Sequence, residues 1–221
     1  MPPPEHHAKE RRILHFTHFR HIGGMIDDDA LYADSHVGTR LQVEIGDRSI
    51  KAYRRIYPVT CGPGGHPCDY VPFYFAPRSP MLYKIGIGGV PHYQDGQDPL
   101  VYLVGTIGDV VRAGLRCVFS NGNCGARLTE YYDDLRLLDS EVDWPLMRAR
   151  MWKDTAEDPT RATRRAAEFL VHERMPWSLI RGLVTRTEAT ADMVRSLLSD
   201  KGQTLQVVVR PDWYYDGERF R

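Results

Sequence analysis

Apolar positions along the chain come in short runs, some with a period of two and some near 3.6, broken by glycine, proline and charge. Ile13-Leu14-His15-Phe16 reads as a short strand, with Thr17 placed to cap a helix over His18 to Ile26. Asp47 to Ile56 has a helical pattern and carries Arg54 and Arg55. Residues 61–69 are a glycine- and proline-rich loop, Tyr70 to Phe75 an aromatic strand, and Ser79-Pro80 opens a helix. Leu100 to Thr106 predicts a strand, Gly108 to Ala113 a turn or two of helix, and Leu115 to Phe119 a strand. The acidic stretch 120–145 reads as irregular, Leu146 to Lys153 as helix and Asp154 to Thr160 as polar loop. A strand over Ile180 to Thr185, a helix over Glu188 to Leu198 and a strand over Leu205 to Val209 close the series. Strands and helices interleave without regular alternation. This predicts an α+β fold rather than a doubly wound sheet, in one domain over 12–221 behind a flexible leader at 1–11.

Composition narrows the function. Twenty-nine basic residues balance 29 acidic ones, so nucleic acid is not held by bulk charge and any contact comes from a local patch. No run approaches the roughly 18 apolar residues of a membrane span. The opening segment lacks the apolar core of a secretory signal. The four cysteines fall as Cys61/Cys68 and Cys117/Cys124, without C-x2-C spacing, so free thiols in a reducing compartment are expected rather than zinc ligands. Phosphate-loop, metalloprotease and nucleophile-elbow signatures are absent, and Gly86-Ile87-Gly88-Gly89 is too short for a dinucleotide fingerprint.

Four local features carry chemistry. His15 and Thr17, two apart on a strand, share a face and can bond one ligand together. Arg54 and Arg55 point in different directions on a helix, so one can enter a cleft while the other stays solvated. Arg78 lies at a rigid turn between two prolines, where its planar fork can face an anion. Glu168 interrupts the apolar run Ala166 to Val171 and shares a strand face with Leu170. It is either an edge-strand glutamate paired with Arg164 or Arg165, or a cleft carboxylate used in chemistry.

Taken in order, three segments resemble the DarT-type DNA ADP-ribosyltransferase toxins. They are HFTH at 15–18, DYVPFYFAPRSPMLY at 69–83, and the run from Trp152 through Thr155, Asp158-Pro159, Arg161 and Arg164-Arg165 to Ala167-Glu168-Phe169-Leu170-Val171. The resemblance implies a single-domain ADP-ribosyltransferase fold with a split β-sheet core and surrounding helices. It implies NAD as co-substrate with no prosthetic group or metal, single-stranded DNA as acceptor, a bacterial cytoplasmic setting, and a DarG-type macrodomain antitoxin as partner. Glu168 and Arg54 take the catalytic positions, Arg55 being the other choice for the arginine. His15, Phe16, Thr17, Arg54, Tyr74, Met81 and Tyr83 take the NAD-binding ones, with either Met81 or Tyr83 against nicotinamide.

These residue types suit the reaction. Breaking the nicotinamide–ribose bond generates an oxocarbenium-like sugar, which a carboxylate bonded to the 2′-hydroxyl stabilises. The same carboxylate can take the proton of an attacking base nitrogen. The stretch Arg148 to Arg165 holds six basic residues against three acidic ones, with one tryptophan, which suits a loop tracking a single strand. Arg78, Arg148, Arg150, Trp152, Lys153 and Arg165 are the candidate nucleic-acid contacts. Transfer to RNA or protein, and a catalytically silent NAD- or nucleic-acid-binding module, are the competing functions.

Overall fold

The computed structural model describes residues 9–216. Eight of its ten strands form one sheet in the order β10-β9-β4-β1-β3-β7-β5-β6. They are β1 (Arg12–His18), β3 (Tyr70–Tyr74), β4 (Leu100–Thr106), β5 (Cys117–Ser120), β6 (Tyr131–Tyr132), β7 (Glu168–His172), β9 (Gly182–Thr185) and β10 (Val207–Val209). A separate pair joins β2 (Ala30–Tyr32) to β8 (Arg174–Pro176). β9 and β10 are parallel, connected by the helix Glu188–Asp200, and the other described pairings are antiparallel.

β4 sits near the centre because its sequence, LVYLVGT, is apolar on both faces. Val101 and Leu103 join Ile13, Phe73, Phe169 and Leu183 on one side, against Val194 and Leu198 of the long helix. Leu100 and Tyr102 join Leu14, Phe16 and Val184 on the other, under Leu82 and Ile85 of the helix Pro80–Gly86. Both helices start where their caps dictate. Ser79 Oγ accepts from Leu82 N at 3.3 Å, and Thr187 Oγ1 accepts from Thr190 N at 3.2 Å.

The irregular α+β reading describes this sheet, and the opening, aromatic and central strands lie where the patterns place them. Three expectations are corrected. The cap at the end of β1 is His18, whose ring accepts from Arg20 N at 3.2 Å, because Thr17 turns inward. The helix over 146–153 is instead Trp144–Arg148, begun by Asp143, which accepts from Leu146 N at 2.9 Å. Beyond it the chain straightens, as Trp152 drops into the core and Arg161 takes the carbonyls of Met151 and Lys153. The stretch 120–145 contains β6, a 3-10 turn at Leu135–Leu137 and the helix Leu138–Glu141. The leader expected at 1–11 lies outside the described residues up to residue 8, as do 217–221 of the expected domain. Arg11, at its end, is seated 3.5 Å over the Trp144 ring and paired with Asp139.

Candidate active site

The site opens where the sheet splits. β1 and β4 pair along their whole length, but β1 and β3 share one register pair, Leu14 with Tyr74. Pro72 is a sufficient reason, since it has no N–H to give across the gap. Its carbonyl accepts instead from His15 Nδ1, at 2.8 Å. That bond fixes the ring's tautomer and leaves Nε2 as a lone-pair acceptor. Burial holds His15 below the ordinary histidine range, so the ring is neutral at pH 7.

Two chambers meet at this split and share Arg54, Pro72, Tyr74 and Met81 as a common wall. One, the Thr17 chamber, runs past His15, Phe16 and Thr17 toward the segment 40–46, and the other, the Glu168 chamber, contains Glu168 and Asn123. In the Thr17 chamber a relay sets the Thr17 hydroxyl. Val43 N donates to His21 Nε2 at 3.0 Å, so in the neutral ring the proton sits on Nδ1, 2.7 Å from Thr17 Oγ1. Thr17 therefore accepts from His21, and its own O–H is free to donate into the chamber. Burial, helped by the neighbouring His18 and His15, pushes His21 down to about 4, which keeps the relay in this state at neutral pH.

Arg54, in the shared wall, is bonded to Glu168 of one chamber. Asp47 caps the helix Arg48–Tyr53 by accepting from Ser49 N at 2.8 Å, and Arg54 follows as its C-cap. Arg54 Nη1 reaches Glu168 Oε2 at 2.7 Å and Oε1 at 3.0 Å, while Nη2 donates to the Pro67 carbonyl at 3.3 Å. The two side chains are 12% and 5% exposed. Burial opposes the Arg54 charge, but the Glu168 carboxylate, with Cys124 and Tyr74 beside it, makes the net shift upward. Arg55 points outward and pairs with Asp34. Glu168 sits opposite Tyr74 in the β3–β7 register. Its backbone N–H donates to Ser120 Oγ at 3.0 Å, and that hydroxyl donates to Gly122 O at 2.7 Å.

The local pairing considered for Glu168 is excluded by geometry. Arg164 holds Asp158 at 2.7 Å and Asp143 at 3.1 Å, and Arg165 donates to the Pro77 carbonyl at 2.6 Å. Of the two candidates against nicotinamide, Met81 lines both chambers. Tyr83 packs edge-on to Trp152 and Tyr215 and lines neither.

The nucleic-acid candidates divide sharply. Arg148, Arg150 and Lys153 are exposed, and Lys153 lies 5.3 Å over the Tyr83 ring. Arg78 is half-buried at φ +57°, its backbone fixed by hydrogen bonds with the Tyr102 and Tyr215 hydroxyls. Trp152 and Arg165 are corrections to the expected surface. Trp152 is buried with its Nε1 donating to the Tyr215 hydroxyl at 2.9 Å, which removes it as a stacking platform. Arg165 is 4% exposed, so its guanidinium braces the Pro77–Arg78 turn from inside. The four cysteines are free thiols. Burial pushes Cys61 and Cys117 up to about 11 and Cys124 to about 12, so none is a ready thiolate.

Three contributors escaped the pattern reading. His21 lies four residues from Thr17 across a strand-to-helix junction, a spacing with no fixed geometry. Val43 acts through its backbone N–H, which any residue but proline supplies. Asn123 sits in a Gly/Asn-rich turn, where asparagine ordinarily signals only a turn.

Residues 14–215 match the family model described as ssDNA thymidine ADP-ribosyltransferase, DarT. A DNA ADP-ribosyl transferase of Mycobacterium tuberculosis is 35% identical over 204 residues, spanning 92% of this chain and 88% of that protein. The structure of Thermus sp. 2.9 DarT in complex with ADP-ribosylated ssDNA has a TM-score of 0.86 and 33% identity, covering 92% of this chain and 96% of that one. The same protein in complex with NAD+ gives 0.81 and 32%, covering 92% and 97%.

Proposed function

The chain belongs to the DarT family of ssDNA thymidine ADP-ribosyltransferases, and from that premise we propose that it transfers ADP-ribose from NAD to thymine in single-stranded DNA, releasing nicotinamide. One observation carries the reading most: Glu168 lines one of two adjoining chambers and is joined by both carboxylate oxygens to Arg54, which lines both.

NAD occupies the Thr17 chamber. His15 Nε2 accepts from a hydroxyl of the adenosine-side ribose, and the Thr17 O–H donates to the nicotinamide amide. Met81 and Tyr74 border the nicotinamide ring, and Arg54 lies by the scissile bond. Each Glu168 oxygen has a second lone pair beyond its bond to Arg54, so the carboxylate accepts the ribose 2′-hydroxyl without losing its anchor. As the C1′–N bond breaks, its electron pair leaves with nicotinamide and positive charge builds on the ribose, which the fixed carboxylate stabilises. Thymine presents one N–H, at N3. N3 forms the new bond to C1′ while its proton passes to Glu168. A base inside a duplex hides this edge, so single strands are the accessible acceptor.

The exposed cations Arg148, Arg150 and Lys153, with Arg78, line the approach for the strand. NAD and DNA are substrates of the bacterial cytoplasm, where free thiols persist. A DarG-type macrodomain antitoxin is the partner that reverses the modification. The test is incubation with NAD and single-stranded oligonucleotides of each base, read by mass. Addition of ADP-ribose to thymine oligonucleotides is expected. Modification of RNA or protein alone, or NAD bound and never consumed with DNA present, overturns the reading.

A further inference from the structure

We propose that Asn123 positions the acceptor base for transfer, by donating a hydrogen bond from its side-chain amide to the carbonyl beside the nitrogen that Glu168 deprotonates. The inference rests on the transfer reaction above and names a residue for its acceptor half.

Asn123 lines the same chamber as Glu168. Its amide orientation is set, because Gly125 N–H can only donate and lies 2.8 Å from Oδ1. That leaves the two N–H donors of Nδ2 with no protein acceptor among the described residues. The turn is held rigidly. Asn123 N donates to Thr163 O at 3.0 Å, and the Asn123 carbonyl accepts from Ala126 N at 2.8 Å and Thr129 Oγ1 at 2.6 Å. A Cβ on Gly122 would meet Thr163 Cγ2 at 3.2 Å and its carbonyl at 3.3 Å, so the loop packs as closely as glycine allows. Ser120 links this loop to the catalytic strand, bonding both Gly122 O and Glu168 N. The donor and the carboxylate are thus held relative to each other by one hydroxyl.

A fixed acceptor beside a fixed donor reads a base edge with N–H next to C=O. Thymine offers N3–H between O2 and O4, and guanine offers N1–H beside O6. Cytosine N3 and adenine N1 carry no proton and meet the carboxylate with a lone pair. As N3 yields its proton to Glu168 and bonds to C1′, negative charge gathers on the flanking oxygen, where the Asn123 donor is worth most.

The test compares kcat/KM for oligonucleotides bearing thymine, 2-thiothymine or 4-thiothymine at the target, with the parent, Asn123→Ala and Asn123→Asp. Sulfur is the weaker acceptor, and its effect on N3 acidity is common to all three enzymes and cancels in the ratios. The parent is expected to disfavour one thio isomer. Both variants should lose roughly 10²-fold on thymine and lose that discrimination. Asn123→Asp keeps an oxygen for Gly125 N–H, so it carries the test if Asn123→Ala does not fold. Variants within about threefold of the parent, undiminished thio discrimination in them, no discrimination in the parent, or parental modification of cytosine or adenine overturns the inference. A parent inert on every base overturns the transfer reading itself.

Discussion

Glu168 and Arg54 meet from positions 114 residues apart, and that distance changes what their substitution does. Removing the carboxylate leaves the Arg54 guanidinium with the Pro67 carbonyl as its one remaining hydrogen-bond partner among the described residues. Glu168→Ala is therefore expected to cost roughly 1–3 kcal/mol in stability. Glu168→Gln keeps an oxygen for Arg54 but removes the base and the charge. It should melt close to the parent while transfer to thymine oligonucleotides falls roughly 10²-fold or more. Parental transfer rates in Glu168→Gln would remove the carboxylate from the mechanism. His21 supports a second prediction at this scale. Folded, its ring stays neutral down to about pH 4, whereas an unfolded histidine gains its proton near about 6.5. Between those values the unfolded state alone binds the proton. His21 thus lowers stability as pH falls from about 6.5 to about 4, by about 3 kcal/mol in full, and contributes no further slope below. His15, His18 and His172 shift in the same direction, so the measurement is the difference in unfolding free energy between parent and His21→Gln across pH. A flat difference would sink the relay.

At the scale of elements, each candidate catalytic side chain is placed by a capped helix or a paired strand. Glu168 was legible because a carboxylate inside Ala166 to Val171 conflicts with its neighbours' burial. Its pairing with Arg54 was not legible from spacing, because the two arginines nearest in sequence satisfied the same charge logic and only the fold brings Arg54 across. Arg165 misled for a related reason. Adjacent basic residues read as surface, yet the helix Arg161–Arg165 turns one toward Asp158 and the other toward the Pro77 carbonyl. Trp152 misled because a tryptophan among cations fits base stacking as readily as it fits a core. The structure gives it to the core, which fixes the third prediction. Trp152→Ala should cost about 3–5 kcal/mol, as a buried aromatic does. Lys153→Ala, one residue on and exposed, should stay within about 0.5 kcal/mol of the parent. Urea midpoints of the two variants decide this, and equal midpoints would return Trp152 to the surface.

For the whole molecule, zero formal charge means that affinity for DNA depends on where cations remain unneutralised. Arg164 is consumed by Asp143 and Asp158, and Arg161 by backbone carbonyls. Arg148, Arg150 and Lys153 are exposed and have no acidic partner among the described residues. They lie on the segment that Trp152 pins beside Tyr83, two residues from Met81 in the chamber wall. A strand crossing them would reach the Glu168 chamber with its phosphates neutralised locally, despite the neutral whole. Binding of a thymine oligonucleotide should then weaken with salt, with a log–log slope of about −0.7 for each phosphate contact. Replacing Arg148, Arg150 and Lys153 together by glutamine should flatten the slope by about 2 and weaken binding evenly across sequences. Affinity for NAD should not change, because none of the three lines the Thr17 chamber. Titrations of oligonucleotide and of NAD over a range of salt concentrations separate the two effects. An unchanged slope in the triple variant would move the path of the strand off this face and leave the Arg54–Glu168 chemistry standing.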